Sequence, residues 1–160
     1  MDFVQEELAL KAYVNIAFDM LYCRDSHLIH NRAITDGEKD SKHHAGERSI
    51  VFRYAHYLQN LICEDPWLKD FDLDCEYNRN GVECKSLPSF QNGTYPDLII
   101  HKRGSNDYNI LVMEFKTYWN PNIEADVRKI EEFMDSKGKY KYKYGVSVLI
   151  NINAPSLRWL

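Results

Sequence analysis

"YPDLIIHKRGSNDYNILVMEFK", Tyr95 to Lys116, decides how the rest of the chain is read. It holds two apolar runs, Leu98-Ile99-Ile100 and Ile110-Leu111-Val112-Met113, separated by a polar stretch around Gly104-Ser105-Asn106-Asp107. Apolar runs bounded by turn residues predict two strands, over 97–102 and 109–116, joined by a turn. Both strands carry charge where a core is expected. Asp97 stands between Pro96 and the first run, and Glu114 and Lys116 close the second. Residues two apart on a strand share a face, so Glu114 and Lys116 point one way and Met113 and Phe115 the other. If the strands pair, Asp97, Glu114 and Lys116 meet at one sheet edge. Two adjacent carboxylates repel, and burying them unpaired is costly. A divalent cation removes the conflict, because hard oxygen ligands suit Mg²⁺ or Mn²⁺. The lysine ammonium beside it can orient a water or balance negative charge in a transition state.

Upstream of this stretch the apolar period is helical. Val4, Leu8, Tyr13 or Val14, Phe18 and Leu21 predict a helix over 2–22. Residues 24–44 are polar and read as a loop. A second helix is expected over 45–63, with Ile50, Val51, Tyr54, Leu58 and Leu61 as its stripe and Pro66 just beyond its end. Glu47 falls on that stripe at the helix start. An acid there is ordinarily stabilised by the helix dipole. Beside Asp97, Glu114 and Lys116, it reads as a further acid able to reach the same metal. The period changes to two over 71–77, "FDLDCEY", which predicts a strand, and Asn80-Gly81 is a turn signal. Downstream, Ile123, Val127, Ile130 and Phe133 or Met134 predict a helix over 122–136, and "YGVSVLIN" at 144–151 a last strand, soon before the chain stops. Strands with helices before and after them suggest a sheet covered on both faces.

With 160 residues, the chain is expected to be one domain with a single core. It is 44% hydrophobic and 28% charged, ordinary for a soluble globular protein. The formal net charge of −4 means that the whole-molecule field does not attract nucleic acid, so such binding needs a local basic patch or bound cations. Cys23, Cys63, Cys75 and Cys84 form no CxxC, and no secretory signal or membrane-length apolar run is seen. A reducing, cytoplasmic setting away from membranes is the expectation.

Pro96-Asp97, then Glu114-Phe115-Lys116 after a hairpin-sized gap, with Glu47 on the helix before the sheet, resembles the PD-(D/E)XK nuclease superfamily. The resemblance covers roughly residues 45–151, and "LDCEYNR" and "PDLIIHKRG" are similar to stretches of small stand-alone members. It implies an α/β restriction-endonuclease-like fold, a three-layer core in which a mixed central sheet is flanked by helices in the order αβββαβ. It implies a metal-dependent nuclease that hydrolyses phosphodiester bonds, DNA being expected ahead of RNA. Asp97 and Glu114, helped by the Phe115 carbonyl, would ligate Mg²⁺, for which Mn²⁺ can substitute. Glu47 would ligate the metal directly or through water, and Lys116 would position or polarise the attacking water. Cutting both strands of a duplex needs two sites, so a homodimer is compatible with this reading. A catalytically inactive nucleic-acid-binding or protein-interaction module on the same fold is the alternative.

Other features carry less. His27, His30, His43 and His44 match no known zinc-ligand spacing and read as solvated loop residues. "KGKYKYKY", 137–144, would place lysines on one face and tyrosines on the other if extended. Lys139, Lys141 and Lys143, with Arg103 after the Asp97 strand, are then candidates for nucleic-acid phosphates. The competing reading is a lysine-protected edge strand for 137–144 and a solvated turn for Arg103. Asp126 and Lys129 read as an i,i+3 ion pair; Glu76 on the first strand reads as a surface or edge acid ahead of a further acid of the site.

Overall fold

The computed structural model describes residues 3–30 and 44–160, which group into two compact units. No helix among the described residues is long and apolar enough to cross a membrane. His43 and most of the expected 24–44 loop lie outside the described residues.

The first unit is built on two helices, α1 (Phe3–Arg24) and α2 (Glu47–Ile62), with a short 3₁₀ turn at Ser26–Leu28. Leu10, Val14, Ala17, Phe18 and Leu21 are the buried side of α1. Phe18 stacks on Tyr54 of α2 with ring centroids 4.1 Å apart. Val4 and Leu8 do not belong to this stripe and remain more than half exposed. At 100° per residue they lie roughly 100–140° around the helix from its centre. On α2 the buried stripe holds Ile50, Val51, Tyr54 and Leu58 as expected, but ends in Ile62 where Leu61 was expected. Asp65 closes the helix, accepting the Trp67 and Leu68 N–H groups at 2.8 and 2.9 Å and the Tyr13 hydroxyl at 2.7 Å.

The second unit is a five-stranded mixed sheet with one helix, which makes the protein an α/β chain. Its strands are β1 (Asp72–Cys75), β4 (Leu98–His101), β5 (Leu111–Thr117), β6 (Tyr144–Ile150) and β7 (Ser156–Trp159), in spatial order β1-β4-β5-β6-β7. A small separate hairpin, β2 (Arg79–Asn80) and β3 (Glu83–Cys84), turns at Gly81. β4 pairs antiparallel with both β1 and β5, while β5 and β6 run parallel. Parallel neighbours need a crossover, and α3 (Glu124–Met134) supplies it. β7 then folds back antiparallel on β6. It is a strand beyond the element order expected from the sequence.

Register fixes the faces. Leu98, Ile100, Leu111, Met113 and Phe115 share one face and are fully buried. The other face carries Asp74, Ile99, His101, Val112, Glu114 and Lys116, and α3 packs against it. There Ile99, Val112, Ile130, Phe133, Tyr140 and Tyr142 form one apolar cluster. Gly145 lets the helix approach: a Cβ at this position would run into Ile130 Cγ2 and Met134 Sδ.

Candidate active site

Asp97 precedes β4 by one residue. Leu98 pairs with Met113, so one further step along the antiparallel register sets Asp97 opposite Glu114, on the α3 side of the sheet. The Asp97 carboxylate is fixed by its own neighbour strand, accepting the Phe115 N–H at Oδ2, 2.7 Å away. Its Oδ1 meets no donor among the described residues. Glu114 is 2% exposed, and its register partner on β6 is the buried Ser147. Lys116 stands two residues beyond Glu114 on the same face. Three of the four expected catalytic residues are therefore gathered by the hairpin and its register. Glu47 is the first residue of α2 in the other unit, half-buried at a helix N-terminus where a carboxylate is favoured.

Two further residues enter from α3. Lys129 Nζ lies 2.9 Å from Glu114 Oε1, donates to Oε2 at 3.0 Å and to the Tyr95 carbonyl at 2.6 Å. Lys116 Nζ lies 3.0 Å from Asp126 Oδ2 and 3.4 Å from the Phe115 carbonyl. Asp126 and Lys129 do not pair with each other, as their spacing suggested; each reaches across to the strand. The buried stripe of α3 runs through Asp126, Val127, Ile130 and Phe133. That an acid and a lysine fall beside the apolar positions of this helix was the available sign, and the i,i+3 pairing rule hid it.

Burial, and then the neighbouring Asp97 charge, push the Glu114 carboxyl well above the usual range, with Lys129 opposing them. Burial likewise raises Asp97, against the Phe115 N–H and the charges of Lys129 and Lys116. Three carboxylates and two ammoniums thus crowd one small volume. Glu114 Oε1 and Asp126 Oδ2 are buried and accept no well-formed hydrogen bond among the described residues, although each touches an ammonium.

Among the described residues, no group of three or more His, Cys, Asp or Glu is placed to hold a metal ion. The fit therefore rests on two carboxylates, a backbone carbonyl and water. Mg²⁺ commonly takes such a complement, binding through one or two carboxylates and keeping several waters. The open Oδ1 of Asp97 and the under-satisfied Oε1 of Glu114 are the oxygens a small hard cation would use, and Lys129 would compete with it for Glu114.

The expected phosphate contacts are placed differently from one another. Arg103 is engaged by Asp74, at 2.8 Å through Nε and 2.5 Å through Nη2, and lies 3.6 Å from Asp72. Residues 137–143 are not a strand: Lys141 takes a left-handed φ of +52°. The alternation still holds, since Tyr140, Tyr142 and Tyr144 are buried while Lys139 and Lys141 are exposed and Lys143 is half-buried. The tyrosines face the core, where they cannot stack on bases. Glu76 is exposed, with its N–H on the Asp97 carbonyl at 3.3 Å. The four cysteines are free and exposed.

No protein-family model, curated protein or solved structure matches this chain.

Proposed function

We propose that the chain is a metal-dependent nuclease with a restriction-endonuclease-like core, hydrolysing phosphodiester bonds in DNA ahead of RNA. One observation supports this above the others: Asp97 and Glu114 come from two adjacent strands onto one face, with Lys116 two residues on. Asp97, Glu114 and the Phe115 carbonyl would hold Mg²⁺, or Mn²⁺ in its place. When bound, such an ion polarises a phosphoryl oxygen and acidifies its water. Lys116, held toward the site by Asp126, orients the nucleophilic water and offsets charge on the phosphate. Lys129 screens Glu114 and would compete with a bound cation for it. Exposed Lys139 and Lys141 lie on the same unit and offer contacts to the nucleic-acid backbone.

The test is a Mn²⁺- and Mg²⁺-dependent cleavage assay on mixed single- and double-stranded DNA and RNA. Asp97→Asn, Glu114→Gln and Lys116→Met are expected to lose cleavage while keeping a cooperative unfolding transition. Undiminished cleavage by Asp97→Asn rejects the assignment.

The ion pairs favour a second reading. Lys129 on Glu114 and Lys116 on Asp126 can satisfy these charges without any metal. The fold would then serve binding alone, and calorimetry would find no Mg²⁺ or Mn²⁺ association at millimolar concentrations.

A further inference from the structure

A second polar centre lies on the same sheet face, beyond the apolar cluster. Asp97, just before β4, shares that face with Ile99 and His101, and four steps of extended chain separate the first from the last by about 13 Å. At the His101 end stands Lys85, only 1% exposed. Its ammonium meets no carboxylate and no hydrogen-bond acceptor among the described residues. Three tyrosine rings surround it instead, with centroids 4.7 Å (Tyr140), 5.6 Å (Tyr77) and 6.0 Å (Tyr142) from Nζ. Ring faces attract a cation but do not replace the hydrogen bonds that it loses on leaving water. The Tyr142 hydroxyl is also buried, with no hydrogen-bond partner among the described residues. Burial pulls the Lys85 ammonium down to about 8.

Lys85 lines a pocket of about 50 Å³ whose wall also includes Tyr77, Arg79, Asn80, His101 and Asn106. No acid lines it. The turns that close it are tied together by Asn106 Nδ2 donating to Asn80 Oδ1 at 2.8 Å. His101 is held from behind by Asp74 at 2.9 Å, and Asp74 by Arg103. Although burial pushes the Asp74 carboxyl up, these two partners hold it at about 2. One water needs roughly 10–15 Å³ on this scale. The space therefore admits a group of a few heavy atoms and is too small for a base or sugar.

We propose that this pocket is a phosphate-binding site, in which Lys85 and Arg79 supply charge and Asn80, Asn106 and His101 complete a polar cradle. A locally cationic concavity on a chain of net charge −4 favours an anion by its own field. The oxyanion supplies the acceptor that Lys85 lacks, in a charge-assisted hydrogen bond. The site stands independently of metal-dependent cleavage; only its use for a nucleic-acid phosphate rests on the nuclease reading.

The experiment follows the Lys85 side-chain resonances and the melting temperature of the full chain during titration with inorganic phosphate, with chloride at equal ionic strength as control. Phosphate, not chloride, is expected to shift the Lys85 signals and raise the melting temperature. Arg79→Gln, an exposed change, should weaken the response at least threefold, and Lys85→Met should abolish the thermal shift. An equal thermal response in wild type and both variants, or no phosphate-specific movement at Lys85, overturns the proposal. Repeating the titration in Asp97→Asn separates the two sites, since phosphate binding is expected to survive there whether or not cleavage exists. Competition then identifies the source of the phosphate. Displacement by a 5′-phosphorylated but not a 5′-hydroxyl oligonucleotide assigns a strand end. Displacement by both assigns an internal phosphodiester, and by neither, free phosphate. Each of these three results presupposes the phosphate-specific shift and supports the pocket.

Discussion

The Asp97 carboxylate commits Oδ2 to the Phe115 N–H and leaves Oδ1 without a donor, while burial raises its proton affinity and that of Glu114. A carboxyl raised on folding acts opposite to the usual salt-bridged acid. The unfolded chain releases these protons near pH 4, the folded chain only at higher pH. Across that window the folded state binds more protons, so stability falls as pH rises and stays lower above it. Asp97→Asn removes one of the two crowded charges and keeps an oxygen for the Phe115 N–H. It is expected to stabilise the metal-free protein at pH 7.5 by about 0.5–2 kcal/mol, the usual scale for relief of a functional site. The gain should shrink at pH 4, where the wild-type acids are protonated. Urea melts at the two pH values check this, and a less stable variant at pH 7.5 contradicts it.

Helix α3 serves both packing and charge. At Gly145 it approaches β6 so closely that a methyl group has no room. Gly145→Ala is expected to cost about 1–3 kcal/mol through overpacking, read as a lower urea midpoint with unchanged slope. Next to Ile130 at that contact, the same helix delivers Lys129 to Glu114. Lys129→Met leaves that buried carboxylate without its cation, a loss on the order of 3–5 kcal/mol. Saturating Mg²⁺ should recover part of it, so the thermal shift on adding Mg²⁺ is expected to exceed that of wild type. Equal shifts would mean that Mg²⁺ and Lys129 do not compete. The hairpin of β4 and β5 was legible because its apolar runs, turn and misplaced acids all agree on one register. The ion pairs of α3 were not, because local spacing offers Asp126 and Lys129 a partner three residues away, and only the packed helix shows that both point at the sheet. The lysine–tyrosine tract was legible in its alternation but not in its backbone. Buried tyrosines impose inside-outside order on a turn just as they would on a strand.

Among the described residues, the order of the longer helices and strands followed from apolar period; the small β2–β3 hairpin and β7 were not in it. "SLRW" is too short and too polar to announce itself; it is a strand because β6 presents an open ladder beside it. The same scale governs the proposed activity. With a formal charge of −4, the protein has no general attraction for nucleic acid. Chelation by EDTA is therefore expected to abolish cleavage and to weaken oligonucleotide binding at least tenfold, as read by fluorescence anisotropy. Affinity unchanged by EDTA would argue that bound cations play no part in holding the strand. The position of β7 has a practical corollary. β6 is a seven-residue strand, nearly all of it buried, and its outer flank is hydrogen-bonded by residues 156–160. Removing those residues would open an unguarded, sticky seam to any other chain able to align with it. Shortened versions ending near residue 155 should accumulate as β-rich precipitate, whatever becomes of Asp97 and Glu114.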